Sequence, residues 1–270
     1  MILTQEQRES FDRDGYLVIN PGLSEDCLTG ILRDLDDKFT TTEKLNVSYR
    51  NERRIQDAWR ISEHVKAAAL APRMLGALQE LYGRKPLPFQ TLNFPKGTEQ
   101  AVHSDTIHFN SKPAGFMCGV WLALEDIDLE NGPLVYYPGS HKLTEITIDD
   151  IDRAGRLTQP FMERMRESWS RVLRRQPPPP PNVERDYPRY EKFIADLIAA
   201  SGMEPHYATI RRGEALIWAS NLLHGGAPQK DKSRSRHSQV THVFFEGCQY
   251  YTPLLTQGKN VHWRNPEWIA

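Results

Sequence analysis

The chain has 270 residues, 39% of them hydrophobic and 26% charged, with 34 basic and 35 acidic side chains intermixed for a net charge of −1. That length can bury a substantial single core, and so balanced a charge gives no field to recruit nucleic acid or an anionic membrane. The three cysteines, Cys27, Cys118 and Cys248, have no CxxC spacing, and the opening Met1-Ile2-Leu3-Thr4 has no secretory leader pattern, so the expectation is a cytoplasmic protein without a membrane span.

The first eighty residues read as mostly helical. Tyr16-Leu17-Val18-Ile19 interrupts them as a short opening strand. Ser24 is an N-cap, after which Cys27, Leu28, Ile31, Leu32, Leu35 and Phe39 recur at helical spacing and form one apolar stripe. A third helix is predicted from Pro72 to Gly83, with Met74, Leu75, Leu78 and Leu81 facing inward. Residues 1–84 are thus expected to be scaffold.

From Leu87 the texture turns to β. Phe89–Phe94, Gly115–Leu124, Leu134–Tyr137, His206–Ile210, Ala215–Ala219 and Gln239–Phe245 are short runs of aromatic and branched residues bounded by turn formers. Many short strands without alternating helices predict a closed or sandwiched antiparallel architecture. An insert of about residues 143–204 breaks the pattern. It holds a charged helical run, Ile148 to Arg175, the prolines Pro177 to Pro181, and a second helical stretch, Tyr187 to Ala200. The proline run reads as a stiff spacer in preference to a peptide ligand, and the insert is where a lid over a barrel mouth would be built.

The chemistry concentrates in His103-Ser104-Asp105 and, far downstream, His224. On a strand, residues i and i+2 project to one side, so His103 and Asp105 can share an ion while His224 arrives from another strand. Two imidazoles and one carboxylate are the donor set of non-haem Fe(II) sites that keep positions open. A His-x-Asp pair alone is weak, because nine histidines and 35 acidic residues produce one by chance.

Its neighbours make it specific. His103-Ser104-Asp105-Thr106-Ile107-His108-Phe109, Trp121, the run Glu130-Asn131-Gly132-Pro133 through Pro138-Gly139-Ser140-His141-Lys142, and His224-Gly225-Gly226 through Arg236 to His242 together resemble the phytanoyl-CoA dioxygenase family of Fe(II)/2-oxoglutarate oxygenases. The resemblance runs from about Phe89 to Glu246. It implies a single domain, 1–270, whose jelly-roll (double-stranded β-helix, cupin-like) core spans 85–246. It also implies Fe(II) held by His103, Asp105 and His224, with 2-oxoglutarate and O2 as co-substrates, and a small-molecule substrate. Arg236 falls where the family clamps the distal carboxylate of 2-oxoglutarate, although Arg234 lies in the same window. Arg236 is preferred because the strand that follows aligns from there, and a guanidinium suits the task because it stays charged and forks onto carboxylates. Trp121 falls where the family lines the co-substrate pocket. Gly226 stands where family members often carry Ser, so that hydrogen bond is lost or supplied elsewhere. Asp105 occupies the place that related halogenases leave vacant, which argues against halogenation; hydroxylation is the expected outcome, with desaturation, epoxidation and ring formation open to the same oxidant.

Gln90, Thr91 and Asn93 precede His103 on a predicted strand, and Gln90 and Thr91 are candidates for contact with 2-oxoglutarate. Lys96 and the loop Gly97 to Gln100 are candidates for substrate contact. His108 is placed near the substrate cavity, His141 in a loop-bracing role, and His242 beside the site. The rival readings are a cupin-like metal-binding sensor or scaffold without turnover, and an adaptor using the proline run.

Overall fold

The computed structural model describes residues 1–36, 54–158 and 180–270. Phe39, most of the proline run and the second half of the run from Ile148 to Arg175 lie outside these residues.

Helix α1 (Gln5–Asp14) starts at a reciprocal capping box between Thr4 and Gln7 and stops at Gly15, whose φ of 81° ends it in the left-handed region. Strand β1 (Tyr16–Ile19) follows, then α2 (Glu25–Leu35), where the Ser24 side chain accepts from the Cys27 amide as expected. Helix α3 (Glu63–Ala69) was not predicted: Ser62 caps it, and it is the short piece that makes the Pro72 helix, α4 (Pro72–Tyr82), the fourth of the chain.

The strands are β2 (Ile55–Gln56), β3 (Pro86–Phe94), β4 (Asn110–Lys112), β5 (Met117–Ala123), β6 (Leu134–Tyr136), β7 (His206–Tyr207), β8 (Ala215–Ala219), β9 (His224–Gly226), β10 (Ser238–Phe245), β11 (Gln249–Tyr251) and β12 (Trp263–Arg264). The insert contributes α5 (Ile148–Thr158) and α6 (Val183–Ser201). One antiparallel sheet runs β1-β8-β5-β10-β3-β2, and two three-stranded sheets run β7-β6-β9 and β12-β11-β4. Most neighbours in the long sheet are strands distant in sequence, as in a jelly roll.

The long sheet is buried on both faces. Leu17, Cys118, Val120, Ile217 and Phe245 point outward onto Leu28, Ile31, Leu35, Val65, Ala77 and Leu78 of the helices. Leu92, Phe94, Trp121, Leu216, Trp218 and Val240 point inward, onto Leu134 and Tyr136 of the small sheet. The N-terminal helices therefore back the sheet whose inner face lines the site. Cys118 is completely buried in the outer core, a packing role. Among the described residues no helix is long and apolar enough to cross a membrane.

Candidate active site

His103 and His224 face each other across a two-residue antiparallel bridge. They exchange both backbone hydrogen bonds, His103 N to His224 O at 2.8 Å and the reverse at 2.9 Å, so their side chains leave the ladder on one side with ring centroids 4.5 Å apart. Asp105 joins them from the first position of a 3-10 turn, Asp105–Ile107, that Ser104 caps through the Thr106 amide. The turn, and not strand alternation as the spacing suggested, brings the carboxylate round to the imidazoles. One donor atom from each of His103, Asp105 and His224 lies within 4.8 Å of the others.

The surroundings fix which atoms are free to bind. His103 Nδ1 donates to the Ala101 carbonyl and His224 Nδ1 to the Leu222 carbonyl, each at 2.9 Å. That assignment leaves both Nε2 lone pairs facing Asp105 Oδ1, at 3.8 and 3.9 Å, too far to hydrogen-bond but within the span of an ion bonded to each at about 2 Å. Asp105 Oδ2 accepts a 2.7 Å bond from the indole Nε1 of Trp218. Burial, and then repulsion from His224, push His103 down to about 3, so it is a neutral ligand near pH 7. Burial works against ionisation of Asp105, but His224, His242, His103 and the Trp218 hydrogen bond outweigh it and keep its pKa below the usual carboxylate value. A buried, ionised carboxylate beside neutral imidazoles fits a divalent metal.

A cavity of about 390 Å³ opens onto the triad, at the lower end of the range for small-molecule sites. Arg236 and Trp121 both line it. Arg236 is 4% exposed; its guanidinium lies 5.4 Å from the Trp121 ring and its Nη1 donates to Ser238 Oγ at 2.8 Å. Arg234 is at the surface, its Nη1 donating to both carboxylate oxygens of Asp128 at 2.9 Å. Of the two arginines, the structure brings Arg236 to the site.

Gln90 also lines the cavity and accepts from His242 Nδ1 at 2.9 Å. Thr91 does not. It is wholly buried on the other face of β3, its Oγ1 3.5 Å from the Trp59 amide, because neighbouring strand residues point to opposite sides. Asn93 shares that face and bonds Gln239. Lys96 reaches the Lys232 carbonyl and lies away from the lining. From the adjoining loop, Thr98 and Gln100 enter the cavity. A Cβ at Gly226 would sit 2.7 Å from both Thr98 Oγ1 and the Glu99 amide. The loop crossing there excludes a side chain at 226, and the Thr98 hydroxyl occupies the space instead.

His108 and His242 are further walls of the cavity, both near 4 because burial disfavours their charged forms. His141 braces a loop, its Nε2 3.2 Å from the Asp12 carbonyl. Helix α6 packs against the site as a wall: Tyr187 and Tyr190 are fully buried, Tyr190 Oη accepts from the Ser104 amide at 3.0 Å, and Val183 reaches the lining. Three contributors escaped the sequence reading: Trp218, Arg54 and Arg264. An inward-facing tryptophan that needs a partner for its N–H was a signal for Trp218; Arg264 lies beyond the motif-bearing stretch, and nothing in the sequence marked it.

The family model Phytanoyl-CoA dioxygenase (PhyH) matches residues 11–238. Phytanoyl-CoA dioxygenase domain-containing protein 1 of Bos taurus is 30% identical over 131 residues, covering 48% of this chain and 38% of that protein. The peroxisomal phytanoyl-CoA dioxygenase of Mus musculus is 26% identical over 166 residues, covering 53% and 49%. The matches thus span about half or less of these curated relatives. Among solved structures, EctD from S. alaskensis with 2-oxoglutarate and 5-hydroxyectoine is similar with a TM-score of 0.65 and 17% identity, covering 98% of this chain and 85% of that one. The carbocyclase SnoK from nogalamycin biosynthesis is similar at 0.62 and 14%, covering 97% of each chain. At such identities the likeness is one of fold, and the fold is the jelly roll expected from the sequence.

Proposed function

The chain belongs to the phytanoyl-CoA dioxygenase family, and from that premise we propose that it is an Fe(II)- and 2-oxoglutarate-dependent oxygenase that hydroxylates a C–H bond of a small molecule. The observation that carries this reading is the convergence of His103, Asp105 and His224 on one point in a cavity that also holds the buried Arg236. A structural metal site has no need of a cation beside it or of an adjoining cavity.

His103 and His224 would bind the metal through Nε2 and Asp105 through Oδ1, with the Ala101 and Leu222 carbonyls fixing the tautomers and Trp218 fixing the carboxylate. When bound, ferrous iron with 2-oxoglutarate and O2 supplies the oxidant that breaks the C–H bond. Arg236 would hold the distal carboxylate of 2-oxoglutarate, with Trp121 as the adjacent wall. Thr98, with its hydroxyl in the space where a side chain at 226 would project, offers a donor to the same molecule. Gln90 acts at one remove, orienting His242. Leu92, Phe94, Leu134 and Val240 keep water from this part of the cavity. The whole chain, 1–270, works as one domain on this reading, because the helices bury the outer face of the sheet that carries the site. A reducing, cytoplasmic setting suits ferrous iron and three free cysteines.

Anaerobic addition of Fe(II) and 2-oxoglutarate should give the weak visible charge-transfer band of a chelated keto acid, lost in His103→Ala and weakened in Arg236→Gln. Absence of the band from the wild type, with metal retained, would favour the cupin-like sensor. Succinate release across a metabolite panel then identifies substrates.

A further inference from the structure

The cavity carries more cationic groups than the co-substrate requires. Arg264, on β12, extends into it, with its guanidinium 4.8 Å from the Phe109 ring and 6.0 Å from Phe89. Its Nη1 donates to Thr252 Oγ1 at 3.0 Å, while its Nε is buried without a hydrogen-bond partner. Several surface arginines are matched with acids: Arg60 with Glu267, Arg212 with Glu25, Arg234 with Asp128. Among the described residues no carboxylate pairs with Arg264. Among the described residues, the only carboxylate in the lining is Asp105, already committed to the triad. Burial alone lowers the pKa of Arg264, with no acid raising it. A half-buried guanidinium in that state is costly unless something anionic meets it.

Arg264 does not belong to the Arg236 end. Arg236 neighbours Phe94, Trp121 and Ser238; Arg264 neighbours Phe89, Phe109 and Thr252. Phe89 stacks on Phe244 at 4.4 Å, six residues beyond Ser238 on β10 and so about 20 Å along the strand. Contacts lead from Arg264 back to the triad: Phe109 lies 4.9 Å from the His242 ring, and His242 Nε2 lies 3.8 Å from Asp105 Oδ2. Arg54 lines the cavity as well, and both guanidiniums act on His108 and His242. Gln56, Gln90 and the two neutral imidazoles add polar groups without negative charge.

We infer that Arg264 is the head-group site for the organic substrate, and that this substrate is a small anion whose carboxylate or phosphate it grips while the body lies along Phe109 toward the metal. A guanidinium fork matches either group, and Phe109 favours an apolar or aromatic body. The inference deepens the oxygenase reading and rests on it only for calling the bound anion a substrate.

Calorimetric titration of the anaerobic Fe(II)- and 2-oxoglutarate-loaded protein with benzoate, phenyl phosphate and neutral benzamide tests it. At least one of the two anions should bind at least tenfold more tightly than benzamide, and the preferred anion identifies the head group. Arg264→Gln should weaken that anion at least tenfold while leaving 2-oxoglutarate affinity within twofold, which also shows that the variant is folded; Arg264→Lys should restore part of the loss. Equal binding of benzamide, an unchanged anion affinity in Arg264→Gln, or no anion binding by the wild type would overturn the proposal. The same anions titrated into metal-free Arg236→Gln protein separate the two readings. Binding there that is lost on adding Arg264→Gln upholds the anion site even if the charge-transfer band is absent; failure there, with the band intact in the wild type, overturns the anion site and leaves the oxygenase standing.

Discussion

Trp218 is not itself one of the proposed metal ligands, yet its indole N–H holds the one carboxylate of the triad at 2.7 Å. Trp218→Phe keeps most of the apolar volume and removes that bond. Metal affinity, measured by competition with a chelator, should fall about 10- to 100-fold, with the secondary structure unchanged by circular dichroism. The imidazoles that line the cavity make a second prediction. His108 and His242 are held near 4, below the ordinary 6.5, because burial disfavours the cation. Above pH 6.5 they are neutral whether the chain is folded or not. Below it the unfolded chain takes up protons that the folded one refuses, so stability falls as pH drops from 6.5 toward 4. Urea titrations of metal-free protein at pH 7, 5.5 and 4.5 should show this decline, and it should be shallower in His242→Gln. A slope unchanged by that substitution would assign the decline to groups other than His242.

At the scale of elements, the register of β5 against β8 sets Gly119 opposite Trp218. A Cβ on Gly119 would approach the indole to 2.1 Å. Gly119→Ala should therefore displace the ring, destabilise the fold by about 1–3 kcal/mol through overpacking, and lower metal affinity in the manner of Trp218→Phe, read by thermal melting and chelator competition. The sequence made the triad legible through the motifs around it that carry the family resemblance, since a His-x-Asp pair is too common to stand alone, and it made α2 and α4 legible through their start and stop residues and apolar stripes. It did not show which face of β3 meets the cavity. Both faces of that strand are largely buried, so no polar–apolar alternation separates Gln90 from Thr91. Nor did it show that α6 is a wall, since helical spacing reveals an apolar stripe without revealing what the stripe covers. Arg264 depends on how β11, with β12 beside it, returns to β4, a pairing between strands distant in sequence that no local signal encodes.

Across the whole molecule, the helices and the long sheet share one core, in which Leu28, Ile31 and Leu35 of α2 meet Val120, Ile217 and Phe245. Neither layer buries its apolar face alone, so heat or urea should unfold them in a single transition. Leu28→Ala, at a position 1% exposed, should cost about 2–5 kcal/mol and shift the melting curve without splitting it; two resolved transitions would show that the helices fold apart from the barrel. The backbone bridge between His103 and His224 has its own consequence at this scale. Two of the three ligands are positioned by main-chain pairing and by carbonyl-fixed tautomers before any ion arrives, so the stripped protein is a preset claw. Imidazole and carboxylate donors hold nickel, copper or zinc more firmly than ferrous iron. The protein is thus exposed to mismetallation, and its working state depends on the metal supply around it as much as on its own sequence.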